Sequence, residues 1–181
     1  MKFYLTGVSG VGKSTLVEEL KKREISGFDI DYIEGLCSWK NKATGSEGIY
    51  QYGIGRDWLE AHDYFCDTAK LKQLLNEHKG DLVVSGLASN QDEYLELFDK
   101  IFLLRCSPET FISRLNSRKE NQFAKEKSEQ EHILGWYKNY EKEMLKKGAI
   151  PINTDRPLTV IADKIVKHFH EIRVDNKRSI S

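Results

Sequence analysis

Residues 7 to 14 read Gly7-Val8-Ser9-Gly10-Val11-Gly12-Lys13-Ser14, which fits the spacing G-x-x-x-x-G-K-[ST], and they follow the short apolar run Phe3-Tyr4-Leu5. A chain with this pattern has few ways to fold locally. A strand must deliver it to a tight turn, where the glycines let backbone N–H groups close around phosphate oxygens. Leu16, Val17 and Leu20 then begin a helix whose positive end faces the anion. In that arrangement Lys13 reaches the β- and γ-phosphates and Ser14 ligates Mg²⁺. The set expected around the nucleotide is Gly7, Ser9, Gly10, Val11, Gly12, Lys13, Ser14 and Thr15. The segment reads as a binder of nucleoside triphosphate and Mg²⁺.

The rest of the composition narrows the setting. At 181 residues, with no Pro/Gly/Ser-rich linker, one domain over residues 1–170 is expected, followed by a polar, frayed tail at 171–181. Twenty-eight basic residues balance twenty-eight acidic ones, so the overall basic field of a protein that holds long nucleic acid is missing. Cys37, Cys66 and Cys106 are odd in number and widely spaced, which suits a reducing compartment and gives no metal site. The five histidines have no partners at metal spacing. Strand-sized apolar runs and a first strand starting at Lys2 lead to the expectation of a soluble, cytoplasmic protein that does not enter a membrane. Monomer and homodimer both stay open.

Along the chain, Lys13 to Ile25 reads as a helix and Phe28 to Asp31 as a short strand ending in two carboxylates. Residues 35–56, with five glycines and several aromatics, read as irregular. Helical spacing runs through Trp58, Ala61, Phe65, Ala69, Leu71, Leu74 and Leu75, predicting one helix from Asp57 to His78 with Gly80 as its stop. Leu82-Val83-Val84 and Ile101 to Leu104 are buried-strand candidates, with a short helix over Gln91 to Phe98 between them. Ser107-Pro108 opens a helix as N-cap and first-turn proline. Glu129 to Lys147 is helical, Ala149 to Ile152 is a last strand, and Pro157 to Phe169 a final amphipathic helix. Strands alternating with helices predict an α/β layered fold with a mainly parallel sheet. Ligands then sit beyond the carboxyl ends of the strands, where Gly7, Asp29 to Asp31, Ser85-Gly86, Arg105 and Asn153 to Arg156 should share a crevice.

This order of features resembles the nucleotide-kinase branch of P-loop proteins, which includes nucleoside monophosphate kinases and shikimate-type small-molecule kinases. The resemblance spans roughly residues 2–170. It implies a three-layer P-loop kinase fold: a five-stranded parallel sheet flanked by helices, an acceptor-binding segment at about 35–58, and a short basic lid at about 118–128. Phe28-Asp29-Ile30-Asp31-Tyr32-Ile33-Glu34 is similar to the aspartate pair of shikimate-type kinases. No aspartate ends Leu82-Val83-Val84, which counts against a motor ATPase or a GTPase switch and shifts the metal role to Ser14 with Asp29 or Asp31. Asp31 or Asp29 would orient or deprotonate the acceptor. Gly86 would let the substrate approach the backbone, and Arg56 would hold an acceptor phosphate. Arg114 and Arg118, four apart, would project from one helix face toward the base and the phosphates. Lys125, at the lid tip after Asn121, would swing onto the triphosphate on closure, and Arg156 would border the adenine. Trp39, Tyr50, Tyr52 and Trp58 offer either stacking for a ring or packing anchors. The resulting expectation is an ATP-dependent phosphotransferase acting on a small acceptor, a nucleoside or nucleoside monophosphate before other small molecules. A 5′-hydroxyl kinase for nucleic acid ends and a non-catalytic nucleotide-binding regulator are the alternatives.

Overall fold

A computed structural model describes residues 1–118 and 122–178. The chain runs β1 (Lys2–Thr6), α1 (Lys13–Lys21), β2 (Ser26–Asp29), β3 (Cys37–Asn41), β4 (Glu47–Gly48), α2 (Arg56–Ala61), β5 (His62–Cys66), α3 (Thr68–Glu77), β6 (Leu82–Ser85), β7 (Lys100–Arg105), α4 (Pro108–Ser117), α5 (Lys127–Lys146), β8 (Ile150–Asn153) and α6 (Leu158–Arg178). Five of the strands form one parallel sheet in the order β2-β6-β1-β7-β8. Strand order reverses at β1, so the crevice for a ligand opens at the carboxyl end of that strand, where the glycine-rich loop begins.

β1 shows how the sequence builds the two layers around the sheet. Its side chains alternate, so Phe3 and Leu5 enter the core under α1 and α6, where the Phe3 ring lies 3.8 Å from that of Phe169. Tyr4 points the other way into the second core, and its hydroxyl, 3.0 Å from that of Tyr94, satisfies a polar atom that burial would otherwise strand. Ser107 caps α4 as its sequence requires, its Oγ accepting from the Thr110 N–H at 3.1 Å with Pro108 in the first turn. Among the described residues, no helix is long and apolar enough to cross a membrane.

The segment after β2 departs from its sequence expectation. The helix expected over Asp57 to His78 is two helices with β5 between them, and part of the region expected to be irregular pairs with β5 as a second, antiparallel sheet in the order β4-β3-β5. The cause is local. Tyr64, Phe65 and Cys66 are good strand formers, and Asp67 restarts the helix by accepting from the Lys70 N–H at 2.9 Å. The expected helix over Gln91 to Phe98 is two short 3₁₀ turns, and α1 stops at Lys21. At the other end, α6 continues through the expected frayed tail to Arg178, because Ile172 extends the apolar stripe of Ile161, Ile165 and Phe169. Residues 179–181 of that tail lie outside the described residues.

Gly86, just past β6, is fixed by packing. A Cβ there would fall 2.2 Å from Ile30 Cγ1 and 2.3 Å from Ile30 Cδ1. Ile30 is fully buried and begins the 3₁₀ turn that carries Asp31, so the clash reaches directly into the site. Gly86→Ala is expected to cost about 1–3 kcal/mol by overpacking and to lower the melting temperature by roughly 3–10 °C. Pairing it with Ile30→Val should recover part of that loss in a thermal melt.

Candidate active site

The loop between β1 and α1 turns on Gly10 and Gly12, whose φ values of 86° and 102° lie where a side chain is strained. No side chain caps α1, so its first N–H groups face the cavity in front of the loop. Lys13 folds back over the turn, its Nζ donating to the Gly7 carbonyl at 2.7 Å and the Val8 carbonyl at 3.3 Å. Burial pushes the Lys13 ammonium below its ordinary range, while Asp29 and Asp31 pull it back up. Such a cation is held by two carbonyls that phosphate oxygens can replace.

Arg114 and Arg118 approach the loop from α4. Arg114 braces it, donating to the Val11 carbonyl at 3.1 Å and to the Thr154 carbonyl at 2.8 Å. Thr154 closes that contact by donating from its own hydroxyl to the Val11 carbonyl at 2.9 Å. α4 ends at Ser117, so Arg118 sits on extended backbone just beyond the helix rather than one turn along it. Its guanidinium reaches Ser9 Oγ at 3.2 Å and the Phe123 carbonyl at 2.7 Å, while its Nε is buried with no partner among the described residues. An orphaned guanidinium donor beside the loop fits an incoming phosphate oxygen. Val11, Thr15, Arg114, Arg118 and Arg156 line one cavity of about 1110 Å³ with Lys13 and Ser14.

Asp29 terminates β2, and its side chain organises the acidic corner of this cavity. Its Oδ2 accepts from Ser14 Oγ at 2.7 Å and from Ser85 Oγ at 2.8 Å, and its Oδ1 accepts from the Asp31 N–H at 3.1 Å. That last bond caps the 3₁₀ turn Ile30–Tyr32 and takes the chain out of the sheet. With the chain turning out of the sheet at Ile30, the Asp29 and Asp31 carboxylates both line this cavity. β2 and β6 pair with Asp29 opposite Ser85, so the carboxylate missing from the end of β6 is supplied by its neighbour. Asp31 behaves differently. Desolvation, then the Asp29 charge, raise its pKa to about 6, against smaller opposing effects of Lys13 and the Tyr64 hydroxyl.

A second cavity, of about 650 Å³, opens on the other side of Asp31. It shares Ser9, Lys13, Asp31 and Tyr32 with the first. Its wall is the second sheet: Trp39 and Tyr64 face each other across β3 and β5 with ring centroids 5.0 Å apart, and Tyr50 and Phe123 continue the aromatic surface. Tyr50 anchors its loop by donating to the buried Glu129 carboxylate of α5 at 2.9 Å.

Some expected site residues stand elsewhere. Arg56 opens α2 and donates to Glu60 one turn on, at 2.6 Å, on an exposed face that borders neither cavity. Gly86 packs on Ile30, and its successors Leu87, Ala88 and Ser89 line the second cavity in its place. Arg105 is turned to Glu141, at 2.5 Å, and lines neither cavity. Lys125 also lines neither; its carbonyl accepts from Gln130 Nε2 at 3.1 Å. Residues 119–121 of the expected lid, Asn121 among them, lie outside the described residues. Ser85 and Thr154 stand in the crevice where they were expected, and Tyr64 and Gln91 join the site without having been singled out for it. Only the adjacency of β2 to β6 brings Ser85 to Asp29, and no spacing in the sequence signals it.

A parallel sheet with the loop at its switch point, Arg114 on α4 and Arg118 just beyond it, and a small antiparallel sheet inserted after β2 make a P-loop kinase fold of the nucleotide and small-molecule type. The chain belongs to the AAA domain family, whose model matches residues 4–135. It is 28% identical over 118 residues to the Halobacterium salinarum protein named "Putative adenylate kinase", a match covering 65% of this chain and 59% of that one, so the chain spans about three fifths of the length of the curated relatives it matches. Among solved structures it resembles deoxyadenosine kinase from M. mycoides with a TM-score of 0.59 at 16% identity, over 94% of this chain and all of that one. A gluconokinase from Sinorhizobium meliloti superposes with a TM-score of 0.57 at 18% identity, over 98% of this chain and 96% of that one. Shikimate kinase from Aquifex aeolicus gives 0.53 at 16% identity, over 96% and 99%. At such identities these likenesses establish the fold.

Proposed function

We propose that the protein is an ATP-dependent phosphotransferase that moves the γ-phosphoryl group of Mg-ATP to a small acceptor, a nucleoside or nucleoside monophosphate. The observation that carries this reading is the meeting of the two cavities at Ser9, Lys13, Asp31 and Tyr32. A nucleotide in the first cavity and an acceptor in the second would touch only there.

Each residue has work that suits its chemistry. The α1 N–H groups and Lys13 hold the β- and γ-phosphates, and Arg118 offers its buried donors to the charge that develops on the transferred group. Arg114, bonded to Val11 and Thr154, keeps the loop in shape. Ser14 and Asp29 would hold Mg²⁺. The Ser14 hydroxyl and Asp29 carboxylate, 2.7 Å apart beside the loop, are oxygen donors that suit a hard cation completed by phosphates and waters. That ion supplies charge neutralisation at the phosphates. Asp31 accepts the proton of the acceptor hydroxyl. The hydroxyl oxygen then bonds to the γ-phosphorus as the bond from that phosphorus to the β,γ-bridging oxygen breaks, and the electron pair leaves on ADP.

ADP release from Mg-ATP, measured against nucleosides, nucleoside monophosphates, shikimate and sugar acids, tests the reading. One acceptor class is expected to raise the rate at least about tenfold over the acceptor-free rate. A flat response across the panel with ATP still bound would replace the phosphotransferase with a nucleotide-binding regulator.

A further inference from the structure

Among the described residues, the basic side chains on the acceptor side are already committed. Lys42 donates to the Glu60 carbonyl at 2.9 Å and stands 3.5 Å from the Asp63 carboxylate. Lys147 is paired with Asp92. Burial, the largest influence on His132, lowers its pKa and favours the uncharged ring. His62 is stacked on Trp58 at 4.0 Å, with Nδ1 hydrogen-bonded to the Trp58 carbonyl at 2.8 Å. Lys13 stands at the boundary with the triphosphate cavity, and Arg56 is held by Glu60 outside. Asp63, Asp92 and Glu143 also line the acceptor side. An acceptor phosphate or carboxylate would therefore meet lysines already paired with Asp63 and Asp92 and a further carboxylate, Glu143, and among the described residues would gain no unpaired cation there for the hydration it gives up.

What the cavity offers instead is rings and one underused donor. Trp39, Tyr64 and Phe123 present aromatic surface. Gln91, 6% exposed, accepts from Thr6 Oγ1 at 3.2 Å, while its amide nitrogen is directed at the Met144 sulfur at 3.5 Å, a weak acceptor. A carbonyl or ring nitrogen on a ligand would satisfy that amide better.

We infer that the acceptor is electrically neutral, a nucleoside rather than a nucleoside monophosphate or a sugar acid, with its base against the Trp39 and Tyr64 rings near Gln91 and its hydroxyl at Asp31. This rests on the phosphotransferase reading and narrows it. Matched pairs of nucleosides and their 5′-monophosphates, assayed with Mg-ATP at low and high ionic strength, test it. The expected result is a nucleoside preference of about 100-fold or more in kcat/KM, with a nucleoside KM that changes less than about twofold with salt. A monophosphate preferred over its nucleoside, with a KM that climbs with salt, would overturn the inference while leaving the phosphotransferase intact. Failure of every acceptor would instead defeat the phosphotransferase reading itself. Asp63→Asn supplies a second arm, because it uncovers Lys42. The monophosphate-to-nucleoside ratio of kcat/KM should rise by about 5–10-fold in that variant, with folding checked by circular dichroism. An unchanged ratio would refute the argument from paired charges.

Discussion

Lys13→Ala is expected to lower kcat/KM for phosphoryl transfer by at least about 10²–10³-fold without unfolding the protein. The Lys13 ammonium borders both cavities, and among the described residues its hydrogen bonds go to two loop carbonyls. The stability side has a definite sign. Burial lowers the Lys13 pKa relative to the unfolded chain, so at neutral pH the charged group costs the folded state, and that cost fades only as pH rises through the lowered pKa. Removing the side chain removes the cost. The melting temperature of Lys13→Ala at neutral pH should therefore match or exceed that of the parent while turnover collapses. Parallel thermal melts and initial rates check this, and a large drop in melting temperature would make Lys13 a structural strut instead.

Asp31→Asn should lower kcat by about 10²–10⁴-fold while changing ATP affinity less than about threefold, because the carboxylate acts on the acceptor proton. In the parent, kcat/KM should fall as pH drops through about 6, where Asp31 takes up a proton and can no longer accept one. The same shift predicts a stability effect. The folded state holds the Asp31 proton more tightly than the unfolded chain, so this group favours folding at acid pH and its contribution is lost as pH rises from the ordinary carboxylate range through about 6. The carboxylate opens onto solvent in the cavity, which screens the effect to about 1 kcal/mol or less. Asp31→Asn should thus be at least as stable as the parent at pH 7.5, and the acid limb of the rate profile should disappear with it. Equal losses in turnover and ATP affinity would make Asp31 a metal ligand.

How much of this was legible in the sequence depends on how local each feature is. The glycine-rich loop and the Ser107-Pro108 helix start are backbone requirements written in consecutive residues, and both stand where the chain predicts them. β1, β6 and β7 are short, largely buried apolar runs, and their alternation with helices made the parallel sheet legible, while β2 and β8 are only partly buried. The second sheet was not. Trp58, Ala61, Phe65 and Ala69 match the helical period, and β3 is partly buried along its whole length, so it has no alternation to reveal it. Arg56 illustrates a different loss. Glu60, four residues on, was in plain view as its helical partner, and a local ion pair outcompeted the distant role. Pairs such as Lys147 with Asp92 and Asp29 with Ser85 join residues 55 and 56 positions apart, and only the assembled sheet brings them together.

Following the label of γ-³²P-ATP, with separation of products after incubation with Mg²⁺ and a nucleoside, tests the central claim most directly. Transfer predicts label on the nucleoside as a monophosphate, appearing in step with ADP and absent from Lys13→Ala. Label found only as inorganic phosphate, at a rate indifferent to the nucleoside, would contradict it.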